Sequence, residues 1–186
     1  MKLLRILALA VAFAGIWVFL APPSPSGGSS EAEVSRTFSF DTDPQTTVLT
    51  VTYLGGLSGG RTVYLVHGDG RLRREQRSRS GELRRSSEIL LSFNQVQALL
   101  RVAVIHGFLD LTQEELRAEI VRPLAISDAG TMQVDLEVTS YERAGEEMGA
   151  RNRTLRLSAP QALHRANPES LAIKGFVELS QLLASY

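Results

Sequence analysis

The sequence predicts an α+β domain: a mainly antiparallel sheet with two to three helices packed on one face, preceded by an N-terminal apolar helix for export or anchoring. Three observations predict it. Runs of β-branched residues broken by glycine turns fill 46–90, helix-start signals follow at Ser92 and Thr112, and an alternating strand, its return and an apolar-striped helix close the chain. Strands grouped before and after helices, rather than alternating with them one by one, fit helices segregated to one face of an antiparallel sheet.

Each element has a local reason. Thr46 to Tyr53 (TTVLTVTY) is β-branched and reads as a strand, and Arg61 to His67 as a second. Gly68-Asp69-Gly70 is a hairpin turn, since Asp-Gly tolerates the positive φ that such turns need. Arg71 to Ser78 returns as a third strand, and Glu82 to Leu90 reads as a fourth. The period then changes. Ser92 with Gln95 forms a capping box, followed by Val96, Leu99, Leu100, Val104 and Ile105 at helical spacing, with Gly107 as the terminator. Thr112 with Glu115 is a second capping box, opening a short helix that Pro123 is expected to stop. Met132, Val134, Leu136 and Val138 alternate with polar residues, which predicts a strand with one buried and one wet face. Residues 143–150 read as a polar turn, Arg151 to Ser158 pairs back, and a last helix spans about 169–184 with Phe176, Leu179, Leu182 and Leu183 as its stripe.

The start of the chain has a different character. Lys2 and Arg5 precede an unbroken apolar run from Ile6 to Ala21. As a helix it would rise about 24 Å at ~1.5 Å per residue. It falls between a signal-peptide core of roughly 7–15 residues and a membrane span of about 20. No A-x-A tripeptide precedes Pro22, so the reading stays open between signal peptide and signal anchor for 1–21. Residues 22–35 are a Pro/Gly/Ser-rich linker and 36–186 a single domain. Either reading places that domain outside the cytoplasm, in the periplasm or beyond, because cationic residues stay inside.

Composition narrows the function classes. The chain has 186 residues, no cysteine and a formal net charge of zero, with 20 basic and 20 acidic residues. Disulfides, thiol catalysis, cysteine metal sites and a lipidated cysteine are therefore excluded. Nothing suggests a cofactor or a metal: the three histidines are scattered, and Asp41-Thr42-Asp43 supplies too few oxygens for calcium. The neutral average hides a polarity along the chain. Residues 71–85 hold seven arginines against Glu75 and Glu82, whereas 110–147 hold ten acids against three arginines. Arg71, Arg73, Arg77 and Arg79 share parity and would line one strand face. The plain reading is a wet sheet face. The functional one is a patch for an anionic partner, polymer or lipid headgroup. No aromatic residues interleave with these arginines, which argues against nucleic acid.

Gly56-Leu57-Ser58-Gly59-Gly60 matches the G-x-S-x-G elbow of serine hydrolases. That chemistry needs a strand-to-helix turn with a base and an acid nearby. Here a strand follows, so a glycine-rich bend or an exposed recognition loop is the better reading, and no catalytic residue is assigned.

A strand leading into a glycine loop (Gly55-Gly56-Leu57-Ser58-Gly59), a helix ending in Gly107-Phe108-Leu109-Asp110-Leu111, a strand pair and a terminal helix together resemble the emfourin family. These are small bacterial inhibitors of thermolysin-like metalloproteases. Family members usually carry an aromatic residue where this chain has Leu57, and they lack counterparts to the 71–90 region and the helix after Thr112. The resemblance implies a non-enzymatic exported protein that binds another protein, a secreted metalloprotease, through Gly55, Gly56, Leu57, Ser58, Gly59 and Gly60. The alternative expectation is an envelope structural or adhesion module using the arginine face, and behind it a serine esterase using Ser58. If the apolar run is uncleaved, residues 6–21 add a membrane contact.

Overall fold

Alternating burial builds the sheet. In a computed structural model, which describes residues 34–55, 59–124 and 130–186, the elements run β1 (Arg36–Ser39), β2 (Thr47–Leu54), β3 (Arg61–His67), β4 (Arg71–Arg77), β5 (Leu83–Leu90), α1 (Phe93–Ile105), α2 (Gln113–Ala118), β6 (Thr131–Val138), β7 (Ser140–Arg143), β8 (Glu146–Glu147), β9 (Arg151–Ser158), α3 (Pro160–Ala166) and α4 (Leu171–Ala184). The fold is α+β, with two antiparallel sheets and four helices among the described residues. The apolar run at 6–21 lies outside them.

The larger sheet has the order β5-β4-β3-β2-β6-β9. Leu49, Val51 and Tyr53 of β2 face Leu136, Val134 and Met132 of β6. Leu155 and Leu157 of β9 continue the rows beyond β6, and Val66 and Leu72 continue the Leu49 row on the other side. These side chains share one face, because side chains alternate along a strand. They join one core with Val96, Leu99, Leu100, Ala103 and Val104 of α1 and Ile173, Phe176, Leu179 and Leu183 of α4. Burying each such side chain stabilises the fold by about 1.5–3 kcal/mol. The other face carries Thr50, Thr52, Gln133, Asp135, Thr154 and Arg156, none of them buried.

Both capping boxes form. Ser92 and Thr112 accept from the backbone N–H of Gln95 and Glu115, whose side chains accept from Ser92 N–H at 2.7 Å and Thr112 N–H at 2.6 Å. Gly107 ends α1 with φ 78°. Helix α4 keeps a glycine in mid-helix for a steric reason: a Cβ on Gly175 would stand 2.6 Å from the Cβ of His106. The close approach seats His106 under α4, where its Nε2 lies 2.7 Å from Glu178 Oε2.

The small sheet, β1-β7-β8, is fastened to the end of α1 by Asp110. Its carboxylate accepts from Arg36 Nε at 2.9 Å and from the Tyr141 hydroxyl at 2.8 Å, while Arg36 Nη1 donates to Ile105 C=O at 3.2 Å. Burial, and then donation to the Asp110 charge, push the Tyr141 hydroxyl up to about 12 against the opposing pull of Arg36.

Three local expectations need correction. There are four described helices rather than two to three: α3 begins at Pro160 behind Ala159, whose φ of 49° is left-handed, and it has no side-chain cap. Its cap position holds Ala159 rather than Ser, Thr, Asp or Asn, so Pro160 at the first helical position is the start signal that remains for this seven-residue helix. Helix α2 stops at Ala118, before Pro123; its single buried residue is Leu116, and Ile120, just past its end, also packs against the core. Residues 143–150 are not only a turn: β7 ends at Arg143 and β8 pairs with it, Glu142 facing Glu147 and Arg143 facing Glu146.

Candidate functional site

The hairpin that joins β2 to β3 brings two sequence-separated features to one end of the sheet. Leu54 pairs with Arg61, so the glycine loop closes a long antiparallel pair. Gly55 and Gly59 take φ values of 95° and 60°, which favour glycine. Gly56, Leu57 and Ser58 lie outside the described residues. A Cβ on Gly60 would stand 3.0 Å from the Arg77 carbonyl oxygen, and one on Gly59 would stand 3.1 Å from Arg79 Cδ. The loop base therefore rests against the end of β4 and the turn after it. That turn runs through Ser78 and Gly81, and Arg77 Nη1 donates to Gly81 C=O at 3.2 Å.

The arginines separate into two groups. Arg71, Arg73 and Arg77 do lie on one face of β4, since Arg73 faces Leu65 and Arg77 faces Arg61 across the β3–β4 pair. Each is held by an acid. Arg71 Nε donates to Asp69 at 2.8 Å, Arg73 Nη2 lies 2.9 Å from Glu75, and Arg77 Nε donates to Glu75 at 2.7 Å. Glu75 is 4% exposed between its two arginines, a buried carboxylate that needs both partners. The face therefore carries less free charge than the sequence count suggests. Arg79 does not belong to the strand, which ends at Arg77; it is exposed in the following turn, beside Gly59. Arg61, exposed and placed opposite Arg77, joins it at the loop end. The loop base is thus flanked by Arg61, Arg77 and Arg79, with Glu75 one pleat further in. Arg61 escapes a parity count because it lies on a different strand from the others.

The histidines do not gather at that loop. His67 sits at the far end of β3, about 20 Å away at ~3.4 Å per residue, with Nδ1 3.4 Å from Thr47 Oγ1. His106 is 8% exposed and committed to Glu178. Burial raises the Glu178 carboxyl, but the hydrogen bond and charge of His106, with Lys174, outweigh it and hold the group below the usual glutamate range. His164 sits on α3, its Nδ1 buried without a hydrogen-bond partner among the described residues. No group of three His, Asp or Glu residues close enough for a metal occurs among the described residues. Asp41 instead closes a turn, accepting from Asp43 N–H at 2.9 Å and Thr46 Oγ1 at 2.8 Å; these bonds lower its carboxyl.

A second concave region was not legible in the sequence. A cleft of about 600 Å³ lies where α2 and α3 meet β9, floored by Leu116, Leu157 and Leu163 and edged by Gln113, Arg117 and Arg156. Its wall is built by a carboxamide. Gln113 Nε2 donates to Arg156 C=O at 2.9 Å, and Arg156 N–H donates to Gln113 Oε1 at 2.7 Å. A side chain here takes the hydrogen bonds that a neighbouring strand would make.

No protein-family model matches the chain, and no curated protein matches it.

Proposed function

We propose that this is an exported, non-enzymatic protein-binding domain that presents the Gly55–Gly60 loop, flanked by arginines, to the cleft of an acidic partner. The observation that carries the reading is the junction of the loop base with Arg61, Arg77 and Arg79 at one end of the sheet. The pairing of Leu54 with Arg61 fixes where the loop leaves and rejoins the sheet. Arg61 and Arg79, both exposed at the loop base, steer an acidic partner and fix orientation. The sharpest form of the proposal, which rests on the emfourin-like features, is inhibition of a secreted thermolysin-like metalloprotease, with Leu57 and Ser58 entering its cleft. Export rests on Lys2, Arg5 and the apolar run that follows them.

The test is inhibition of a thermolysin-like protease on a short peptide substrate by the full chain, compared with a Leu57→Gly/Ser58→Gly variant and with Arg61→Ser/Arg79→Ser. Saturable inhibition that the loop variant loses, and that the arginine variant weakens mostly through a slower on-rate, supports the reading. Full protease activity at every concentration removes the inhibitor form. If the chain also captures no protease from its own envelope fraction, the protein-binding form falls with it. Adhesion through the arginine face is less supported, since Arg71, Arg73 and Arg77 are each ion-paired.

A further inference from the structure

Strand β5 is the outermost strand of the larger sheet on the side opposite β9, and all eight of its residues are exposed. Such an edge carries unpaired backbone N–H and C=O groups and is a template for another strand. The pairing with β4 shows which groups are free. Leu91 N–H donates to Gly70 C=O at 2.8 Å, and Leu72, Arg74 and Gln76 lie opposite Ile89, Ser87 and Arg85. In an antiparallel ladder alternate residues turn their backbone groups to one side. Those of Arg85, Ser87 and Ile89 therefore face β4, and those of Ser86, Glu88 and Leu90 face the open edge.

We propose that this edge pairs antiparallel with β5 of a second copy of the chain, about a twofold axis at Ser86. A twofold axis normal to the sheet keeps the core faces of both copies on one side, so only residues of the same face meet. With the axis at Ser86, Arg84 stands opposite Glu88 of the second copy, and symmetry repeats the pair. Arg85 meets Ser87. Arg84 is exposed at the bulge where the register with β4 shifts, and in the proposed pairing it lies on the outer side with Ser86 and Glu88.

Neighbouring registers are worse. An axis at Arg85 sets that guanidinium against its own copy. An axis at Ser87 leaves Glu88 facing Ser86 and Arg84 facing Leu90. An axis at Glu88 sets two carboxylates face to face. Opposite charges directly across a strand pair stabilise it and like charges oppose it. Edge charges ordinarily ward off pairing; here their spacing selects one register and rejects the others. A second strand would also cover Ile89 and Leu90, which are 41% and 75% exposed.

The chain has no cysteine, so Ser86→Cys introduces a single thiol. In the full chain carrying it, mild oxidation should give a disulfide dimer on a non-reducing gel, whereas Ser80→Cys, in the turn beyond β4, should not. Adding Arg84→Glu or Glu88→Arg to Ser86→Cys should remove most of that dimer. Mixing the two charge variants, one carrying a mobility tag, should restore a mixed dimer, because every facing pair is then opposite in charge. A misfolded variant could not be rescued by mixing. Absence of the Ser86→Cys dimer, equal cross-linking in the single charge variants, or failure of the mixed dimer to appear would each overturn the proposal. None of these results bears on the glycine loop, so the dimer and the binding function stand or fall separately.

Discussion

At one edge of the larger sheet, β9 places Leu155 and Leu157 in the core, and the Gln113 carboxamide occupies the backbone of Arg156. At the other edge, β5 buries no residue, and its partner β4 buries only Leu72 and Glu75. The first edge is closed by chain that lies 43 residues away in sequence; the second stays exposed along its whole length. The contrast shows one sheet using a strand of equal length, eight residues in each case, as structure on one side and as surface on the other.

The largest expected effect tests the packing half of that contrast. Leu155→Ala should cost about 2–5 kcal/mol, because it leaves a cavity in a buried row. Ile89→Ala, an equivalent truncation on β5, should cost less than about 1 kcal/mol, since the side chain is 41% exposed. Urea unfolding of both variants measures the difference, and equal losses would erase the distinction.

The small sheet supplies a reference away from both edges. Tyr141 is raised to about 12 in the fold against an ordinary value of 10.0. Its contribution is fully present below pH 10 and is lost as the pH rises through about 12, a change worth roughly 3 kcal/mol. Unfolding midpoints should therefore fall across that window in the parent and fall less in Tyr141→Phe.

Removing the edge cover comes next. Gln113→Ala should cost about 1–2 kcal/mol, because the N–H and C=O of Arg156 lose their partner. At β5 the matching intervention is Ser86→Pro. It removes a backbone donor that faces solvent, so it should change stability by no more than about 1 kcal/mol while abolishing dimerisation. A larger loss in Ser86→Pro than in Gln113→Ala, by thermal melts, would mean that the outward direction assigned to Ser86 is wrong. The smallest effect lies where β9 ends. Ala159→Gly should stabilise the domain by about 0.5–1 kcal/mol by relieving a left-handed alanine at φ 49°.

How much of this was legible in the sequence depends on how far each interaction reaches. The hairpin at Gly68–Gly70, the capping boxes at Ser92 and Thr112 and the alternation of Met132 to Val138 are written within a few residues, and all appear where local rules place them. Helix α3 was missed because its cap is a strained alanine rather than a polar side chain. The arginine parity was legible, but the acids that bind Arg71, Arg73 and Arg77 made the face less charged than a count implies. The position of Arg79 beside Gly59 and the cleft against β9 depend on which strands become neighbours, which parity does not state.

The sequence by itself determined the secondary structure of most of the domain, the wet and dry faces of its strands, and the absence of cysteine chemistry. These follow from periodicity and composition, which act over one turn or one pleat. Only the tertiary structure decided the order β5-β4-β3-β2-β6-β9, the Asp110 clamp on Arg36, 74 residues away, and the Gln113 cover on β9. Such contacts form between segments that share no local signal. The free energy that selects them comes from burying one common core, so it appears only when the whole chain is packed.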